Sequence, residues 1–121
     1  MDSTPPMVSI EELRTRDQPL VVADHQGLIE EINGRFEEVY GWQPDDLRGQ
    51  SLSLILPGAF RDAHHLGFSR FQITGEAVVL NHPLRLMTIC KNGREIESEH
   101  FIVAQRQGDA WVFAATLTPL A

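Results

Sequence analysis

The final third of the chain carries the pattern that most restricts its fold. It contains three segments in which apolar and polar residues alternate, and two tight turns join these segments. Alternation with a period of two is typical of strands that bury one face. Asn92 and Gly93, and then residues 107–109, have the composition of hairpin turns. The sequence therefore predicts an antiparallel meander of three strands over residues 78–90, 94–105 and 110–117.

A second hairpin is predicted near the start of the chain. Residues 20–24 and 28–32 are short apolar segments, and the turn between them begins at Asp24 and contains Gly27. Asp favours the first position of a turn, and Gly can adopt a positive φ. Asn33 then predicts the N-cap of a helix that continues to about Tyr40.

Helical segments fill the middle of the chain. Short turns of helix are predicted in residues 44–49 and 51–56, and one long helix is predicted over residues 59–73. This order predicts an α+β fold, in which a five-stranded antiparallel sheet carries the short helices and the one long helix on one face. A ligand site is expected in the cleft between the long helix and that face.

The length of 121 residues predicts a single domain. We expect residues 1–17 to form a flexible N-terminal segment with a flanking helix, residues 18–118 to form the domain, and residues 119–121 to form a tail. Ser9 and Glu12 have the spacing of a capping box, which predicts a helix over residues 10–16 that either packs on the domain or leads away from it.

Charge and cysteine content exclude several classes of function. The formal net charge is −7 and the isoelectric point is about 5.1, which disfavours binding to nucleic acid or to an anionic membrane surface. No apolar run has the length of a membrane span, and the N-terminus lacks a signal-peptide pattern. The single cysteine, Cys90, excludes an internal disulfide and a cysteine-based zinc cluster. We therefore expect a cytoplasmic location.

Two histidines are predicted to point into the same interior. At helical spacing His64 shares a face with the aromatic residues of the long helix, whereas its neighbour His65 points to water. At strand spacing His82 lies on a largely apolar side. The residues that share this side with His82 are Leu80, Leu84, Leu86, Thr88 and Cys90.

The order of elements and a set of short motifs resemble those of PAS domains. The resemblance extends from about Gln18 to Leu117 and implies a sensory or dimerisation module of a signalling protein, such as a histidine kinase of a two-component system. It also implies a homodimer, and an effector domain or partner protein that receives the signal. The matching segments are residues 22–29, Ile32–Asn33, Phe36–Glu37, 40–42, 46–49, Leu56–Pro57, Arg61 with His64, 74–76 and 91–93.

The motif Arg61-x-x-His64 is similar to that of two groups of haem-binding oxygen sensors within this family. In both groups the helix histidine is the proximal ligand of the iron, so the resemblance implies haem b as a cofactor and His64 as an iron ligand. His82 matches the position of a distal ligand in one group. Leu84 stands where both groups have an arginine that contacts oxygen, and Arg70 matches a residue that meets a haem propionate.

The predicted cleft has the composition that haem requires, which is an apolar slot with one or two axial ligands and little water. Gly67, one helical turn beyond His64, leaves room for a flat ring. The side chains expected to wall the slot are Phe60, Phe68, Leu80, Leu84, Leu86 and Ile102.

Several other interpretations remain open. In many PAS domains the histidine that matches His64 has a structural role, and the same role is open for His64. A bulge at Pro83 would turn the side chain of His82 outward. His100, on an alternating face, is interpreted as a buried and hydrogen-bonded residue. A cofactor-free PAS module that acts through dimerisation is the main alternative, and for it we expect exposed Ile10 and Leu13 on the N-terminal helix to form the contact.

Enzymatic activity has little support in the sequence. No catalytic triad, phosphate-binding glycine loop or pair of catalytic carboxylates is present, so we do not expect an enzyme. The alternative is a metal-dependent enzyme that uses His64, His65 and His82, but neighbouring histidines on a helix diverge by about 100°. Cys90 lies on a strand rather than in the helical motif of flavin photoreceptors, and it is expected to be a small core residue.

Overall fold

A computed structural model of the protein describes residues 9–56, 84–108 and 110–120. The predicted long helix of residues 59–73 lies outside the described residues, as do residues 78–83 of the first strand of the meander. None of the described helices has the length and apolar character that a transmembrane span requires. In chain order the elements are α1 (Ile10–Thr15), β1 (Leu20–Ala23), β2 (Ile29–Ile32), α2 (Gly34–Tyr40), α3 (Pro44–Leu47), a 3-10 helix (Leu52–Ile55), β3 (Leu84–Ile89), β4 (Glu95–Gln107) and β5 (Ala110–Pro119).

The strands form one five-stranded sheet in the order β2-β1-β5-β4-β3, and every neighbouring pair is antiparallel. The longest pairing joins β4 to β5, from Ser98 opposite Pro119 to Gln107 opposite Ala110. The predicted α+β fold with a five-stranded antiparallel sheet is therefore confirmed.

Two of the three predicted turns show why the chain reverses there. In the first hairpin the Asp24 carboxylate accepts hydrogen bonds from the backbone N–H groups of Gln26 and Leu28, at 2.9 and 3.0 Å. Gly27 has a φ of 79° and Gly93 has a φ of 90°, a region in which a side chain would be strained. Both glycines are therefore required by the backbone at the points where the chain reverses.

Asn33 joins the first hairpin to α2. Its Oδ1 accepts hydrogen bonds from the N–H of Phe36 and from the N–H of Leu20, each at 3.0 Å. Its Nδ2 donates to the carbonyl of Gln18 at 2.8 Å. The residue is the predicted N-cap of α2, and the same amide also fixes where β1 begins.

The sheet has two apolar faces, which we call inner and outer. Against the inner face pack α2, α3 and the 3-10 helix, and against the outer face packs α1. Alternation along β1 places Val21 on the inner face and Leu20 and Val22 on the outer face. The inner cluster comprises Val21, Ile29, Ile32, Phe36, Tyr40, Trp42, Leu47, Ile55, Leu56, Cys90, Ala115 and Leu117. The outer cluster comprises Ile10, Leu13, Leu20, Val22, Val103, Val112 and Ala114.

The expectation that α1 exposes Ile10 and Leu13 is wrong. These side chains are only 2% and 0% exposed, because they pack on the outer face of the sheet. The N–H of Ile10 donates to Oε1 of Gln105 at 3.1 Å, and the guanidinium of Arg16 lies 5.7 Å from the ring centroid of Phe101. Of the two predicted positions for this helix, the structure shows the one packed on the domain.

Candidate functional site

The predicted site residues divide between the described and the undescribed parts of the chain. Leu84, Leu86 and Ile102 are on described strands. By backbone register Leu84 pairs with His100 and Leu86 pairs with Ser98. The others lie outside the described residues and are Phe60, His64, Gly67, Phe68, Arg70 and His82.

The inner face is unevenly covered. Where α2 and the 3-10 helix pack on it, side chains such as Val21, Ile29 and Leu117 are buried. Over β3 and β4, by contrast, Leu86, Ile96 and Ile102 are only partly buried, although they point to the same side of the sheet. These three aliphatic side chains therefore form an accessible apolar wall, which we call the β3–β4 wall.

A chain of four buried polar side chains lies within this part of the inner face. The hydroxyl of Tyr40 and Oγ of Ser98 are 2.6 Å apart, and Oγ1 of Thr88 and Nε2 of His100 are 3.0 Å apart. Ser98 and His100 occupy successive inward positions of β4, which places the two pairs side by side. All four residues are at most 5% exposed, so water does not compete for these hydrogen bonds.

Burial makes His100 a neutral residue. Desolvation lowers the pKa of the His100 imidazole to about 4, well below the ordinary value of 6.5. Burial likewise raises the pKa of Tyr40, although its hydrogen bond with Ser98 acts in the opposite direction. The polar chain is therefore uncharged at physiological pH, and it acts through hydrogen bonds rather than through charge.

Sequence patterns identified only part of this polar chain. The prediction that His100 is buried and hydrogen-bonded is confirmed. The sequence marks Tyr40 only as the end of the helix that begins after Asn33, and it marks Thr88 only as a member of a largely apolar strand side. The available signal was that Thr88, Ser98 and His100 all occupy inward positions of adjacent strands, since three polar residues on a core face are unusual.

A hollow of about 360 Å³ opens beside the turn between β3 and β4, and it reaches Ile96 at one end of the β3–β4 wall. Two contacts hold this turn against α2: the indole N–H of Trp42 donates to the carbonyl of Ile89 at 2.8 Å, and the N–H of Lys91 donates to the carbonyl of Tyr40 at 2.9 Å. The hollow combines a buried floor with a rim of mixed charge. Its lining residues are Glu38, Val39, Tyr40, Gly41, Cys90, Lys91, Asn92, Arg94 and Ile96.

The described residues contain neither a metal cluster nor a reactive thiol. No three His, Cys, Asp or Glu side chains in residues 9–56, 84–108 and 110–120 converge on a point that could hold a metal ion. Cys90 is buried, and burial raises the pKa of its thiol, which keeps it protonated. The expectation that Cys90 is a small core residue is confirmed.

Comparison with known proteins identifies the family. A family model described as the PAS fold matches residues 13–116, which is most of the chain. The chain belongs to the PAS family. Its PAS domain is also 27% identical over 104 residues to an uncharacterized protein of Azorhizobium caulinodans. That match covers 85% of this chain but only 14% of the relative, so the chain spans about one seventh of the relative's length.

Solved structures of PAS domains share this fold. A PAS domain from Desulfitobacterium hafniense has a TM-score of 0.71 at 14% identity, and the match covers 91% of this chain and 99% of that one. The PAS domain of a quorum-sensing receptor from Cronobacter turicensis, in complex with C12:0, has a TM-score of 0.66 at 16% identity, with 88% and 96% covered. At these identities the likeness extends to the fold alone.

Family membership narrows the class of function. PAS domains are typically sensory or interaction modules rather than enzymes, and they are typical of signalling proteins such as histidine kinases.

Proposed function

We propose that this PAS domain senses a small molecule that binds between the predicted long helix and the β3–β4 wall. The domain then relays binding through a homodimer contact, an effector domain or a partner protein of a signalling pathway. The proposal concerns a sensor rather than an enzyme, in keeping with the family.

The observation that carries the proposal is the uneven burial of the inner face. Leu86, Ile96 and Ile102 are only partly buried, whereas inner-face residues of β1 and β5 such as Val21 and Leu117 are buried. The part of an aliphatic side chain that stays accessible to water gains stability when a bound molecule covers it. Ligand pockets are mostly apolar and contain a few placed polar groups. The β3–β4 wall and the adjacent His100 have that composition.

Haem b is the first candidate for the bound molecule. On the described side Leu86 and Ile102 offer the apolar surface that haem needs, and the uncharged polar chain introduces no buried charge. His64 and His82 are the residues that would hold the iron, with Phe60, Gly67, Phe68 and Leu84 around the ring and Arg70 at a propionate. When bound, haem would supply an iron that responds to gases or to redox state.

An organic ligand is the second candidate for the same cleft. The PAS domain of the Cronobacter turicensis receptor, which shares this fold, was solved in complex with C12:0. An aliphatic ligand could pack against Leu86, Ile96 and Ile102, because removing apolar surface from water is favourable and does not depend on direction. This version of the proposal needs no iron ligand.

The remaining candidate is a PAS module that binds no ligand and acts through contact with another protein. The surface of β3 and β4 on the outer face favours such a contact. Helix α1 packs on the outer face against residues of β1, β4 and β5, whereas Arg85 of β3 and Glu95 and Glu97 at the start of β4 are exposed. Met87 and Ile89, which alternate with Arg85, are partly buried there. This surface is suited to a contact with a second copy or an effector.

An absorption spectrum tests the haem version directly. Protein incubated with haemin should show a Soret band that His64→Ala shifts or abolishes. The matched control is His65→Ala, because its neighbouring imidazole is predicted to face water and its loss should leave the band unchanged. His82→Ala should alter the band only if a second histidine ligates the iron.

The other outcomes separate the remaining candidates. Absence of a Soret band together with a co-purified organic molecule in native mass spectrometry would favour the second candidate. Absence of both, with a dimer found by size measurement, would contradict ligand sensing and favour the interaction module.

A further inference from the structure

The hollow beside the turn between β3 and β4 adjoins the β3–β4 wall. Ile96 belongs to both, because it lines the hollow and is one of the three partly buried side chains of the wall. The hollow has a volume of about 360 Å³, which is within the range of about 300–1,000 Å³ that small-molecule sites occupy. A molecule that lies along the wall therefore has room to place one end in the hollow.

The inward side chains along β4 determine what such a molecule meets in order. A strand rises by about 3.3 Å per residue, so the first of these residues stands about 7 Å from the second and about 26 Å from the last. The row begins with a cation at the rim of the hollow and continues over apolar and uncharged side chains. In sequence it consists of Arg94, Ile96, Ser98, His100 and Ile102.

The charged residues that line the hollow favour an anion. Two of them, Lys91 and Arg94, are cationic, and one, Glu38, is anionic. Lys91 is already engaged, because its Nζ lies 3.0 Å from Oδ1 of Asp46 and 5.3 Å from the ring centroid of Trp42. Arg94 is exposed, so its guanidinium can turn toward a bound group without giving up a buried contact. A guanidinium matches a carboxylate in geometry as well as in charge.

Burial determines which end of a ligand can carry the charge. In the middle of the row Ser98 is 0% exposed and His100 is 5% exposed, and burial keeps His100 neutral by lowering its pKa to about 4. An ionised group placed there would lose its hydration without gaining an opposite charge. At the hollow the rim is open to water and carries Arg94. A charged end is therefore favourable in the hollow and unfavourable over the wall.

We propose that the hollow is an anion subsite of the ligand cleft, in which Arg94 binds the carboxylate of a ligand whose aliphatic body lies along the β3–β4 wall. The proposal rests on the proposed function, because it assumes that an organic molecule binds at this wall. It specifies that molecule as an amphipathic carboxylate, with its charged end beside the turn between β3 and β4 and its apolar end toward Ile102.

Three probes with the same eight-carbon chain test the charge of the subsite. Octanoate, 1-octanol and octylammonium differ in the charge of one end, and calorimetric titration at pH 7 and low salt measures each. Octanoate should bind more tightly than octylammonium. Arg94→Gln should weaken octanoate about five-fold, as for an ion pair at an exposed site, and should change 1-octanol by less than about two-fold. Glu38→Gln removes the opposing carboxylate and should tighten octanoate about two-fold.

Arg94→Gln should leave the fold unchanged, because the turn uses only the backbone of this residue. The N–H of Arg94 donates to Oδ1 of Asn92 at 3.0 Å, and its carbonyl accepts from the N–H of Cys90 at 2.7 Å. An unchanged midpoint in urea denaturation would confirm that any loss of octanoate binding is due to the missing guanidinium.

Two other arginines serve as controls. Arg85 is exposed on the outer face of β3, so Arg85→Gln should leave octanoate binding unchanged. Arg106 lies near the far end of β4, beyond the buried Ala104, and its guanidinium is 5.6 Å from the ring centroid of Trp111. Arg106→Gln should also leave octanoate binding unchanged. A loss in Arg106→Gln instead of Arg94→Gln would place the charged end at the opposite end of the wall and overturn the proposal.

The outcomes separate this inference from the proposed function. Equal effects of Arg94→Gln on octanoate and 1-octanol, no effect on either, or tighter binding of octylammonium than of octanoate would overturn the anion subsite while leaving the cleft intact. Binding of haemin but of none of the three probes would do the same. Binding of neither haemin nor any probe would contradict the cleft and the subsite together.

Discussion

Lowering the pH from 8 to 5 should reduce the free energy of unfolding by about 2 kcal/mol through His100 alone. The folded pKa of His100 is about 4, whereas the unfolded chain has the ordinary value of 6.5. The unfolded state therefore binds the proton first as the pH falls. The stability due to the neutral imidazole is complete above pH 6.5 and is lost progressively toward pH 4. Urea denaturation at a series of pH values measures this slope.

His100→Phe is the control for this titration, because it removes the ionisable group and keeps a ring in the core. Its stability should depend much less on pH between 8 and 5. Asp17 and Asp46 have pKa values lowered below 3.8, mainly by hydrogen bonds from Arg35 and from the backbone of Gln43, so they titrate below this window. An equal slope in the wild type and in the variant would show that His100 is not buried in its neutral form.

Leu13→Ala should destabilise the domain by about 2–5 kcal/mol, the range for a large-to-small change in a core. Leu13 is 0% exposed and belongs to the outer cluster with Val103 and Ala114. The control is Glu12→Ala on the exposed side of the same helix, for which a change within about 0.5 kcal/mol is expected. Chemical denaturation monitored by circular dichroism would provide both values.

The same two variants, Leu13→Ala and Glu12→Ala, test whether α1 contributes to dimer formation. If Ile10 and Leu13 pack within one chain, Leu13→Ala should lower stability without a concentration-dependent change in size. A loss of dimer at unchanged monomer stability would instead mean that these side chains contact a second copy. That result would contradict the packing of α1 on its own sheet.

The fold could be predicted because each helix, strand and turn is indicated by residues within that element. Alternation in residues 94–105 identifies inward and outward positions of one strand, and Asn33 and Gly27 mark a cap and a turn through their own chemistry. The packing of α1 was not predictable to the same degree. Its N-cap, in which Oγ of Ser9 accepts a hydrogen bond from the N–H of Glu12 at 3.1 Å, marks the start of a helix but does not show what the helix packs against. The apolar surface that receives Leu13 is assembled from strands at both ends of the chain.

The candidate site was predictable only in part, for the same reason. Periodicity places Ser98 and His100 on the inner face, but it does not show that the hydroxyl of Tyr40 meets Ser98, because these residues are 58 positions apart. The contact depends on the position of α2 along the sheet, and no pattern of neighbouring residues in the sequence specifies that position. The predicted ligands His64 and His82 remain predictions, since they lie outside the described residues.

The most direct test of the central claim is a methyl spectrum of isoleucine-labelled protein, recorded before and after addition of haemin or 1-octanol. Ile96 and Ile102 lie on the inner face over β3 and β4, whereas Ile10 and Ile89 belong to the outer face and serve as internal controls. Binding at the β3–β4 wall predicts shifts of the Ile96 and Ile102 methyl signals while those of Ile10 and Ile89 stay in place. Shifts confined to Ile10 and Ile89, or no shift with either compound, would contradict ligand sensing at this wall.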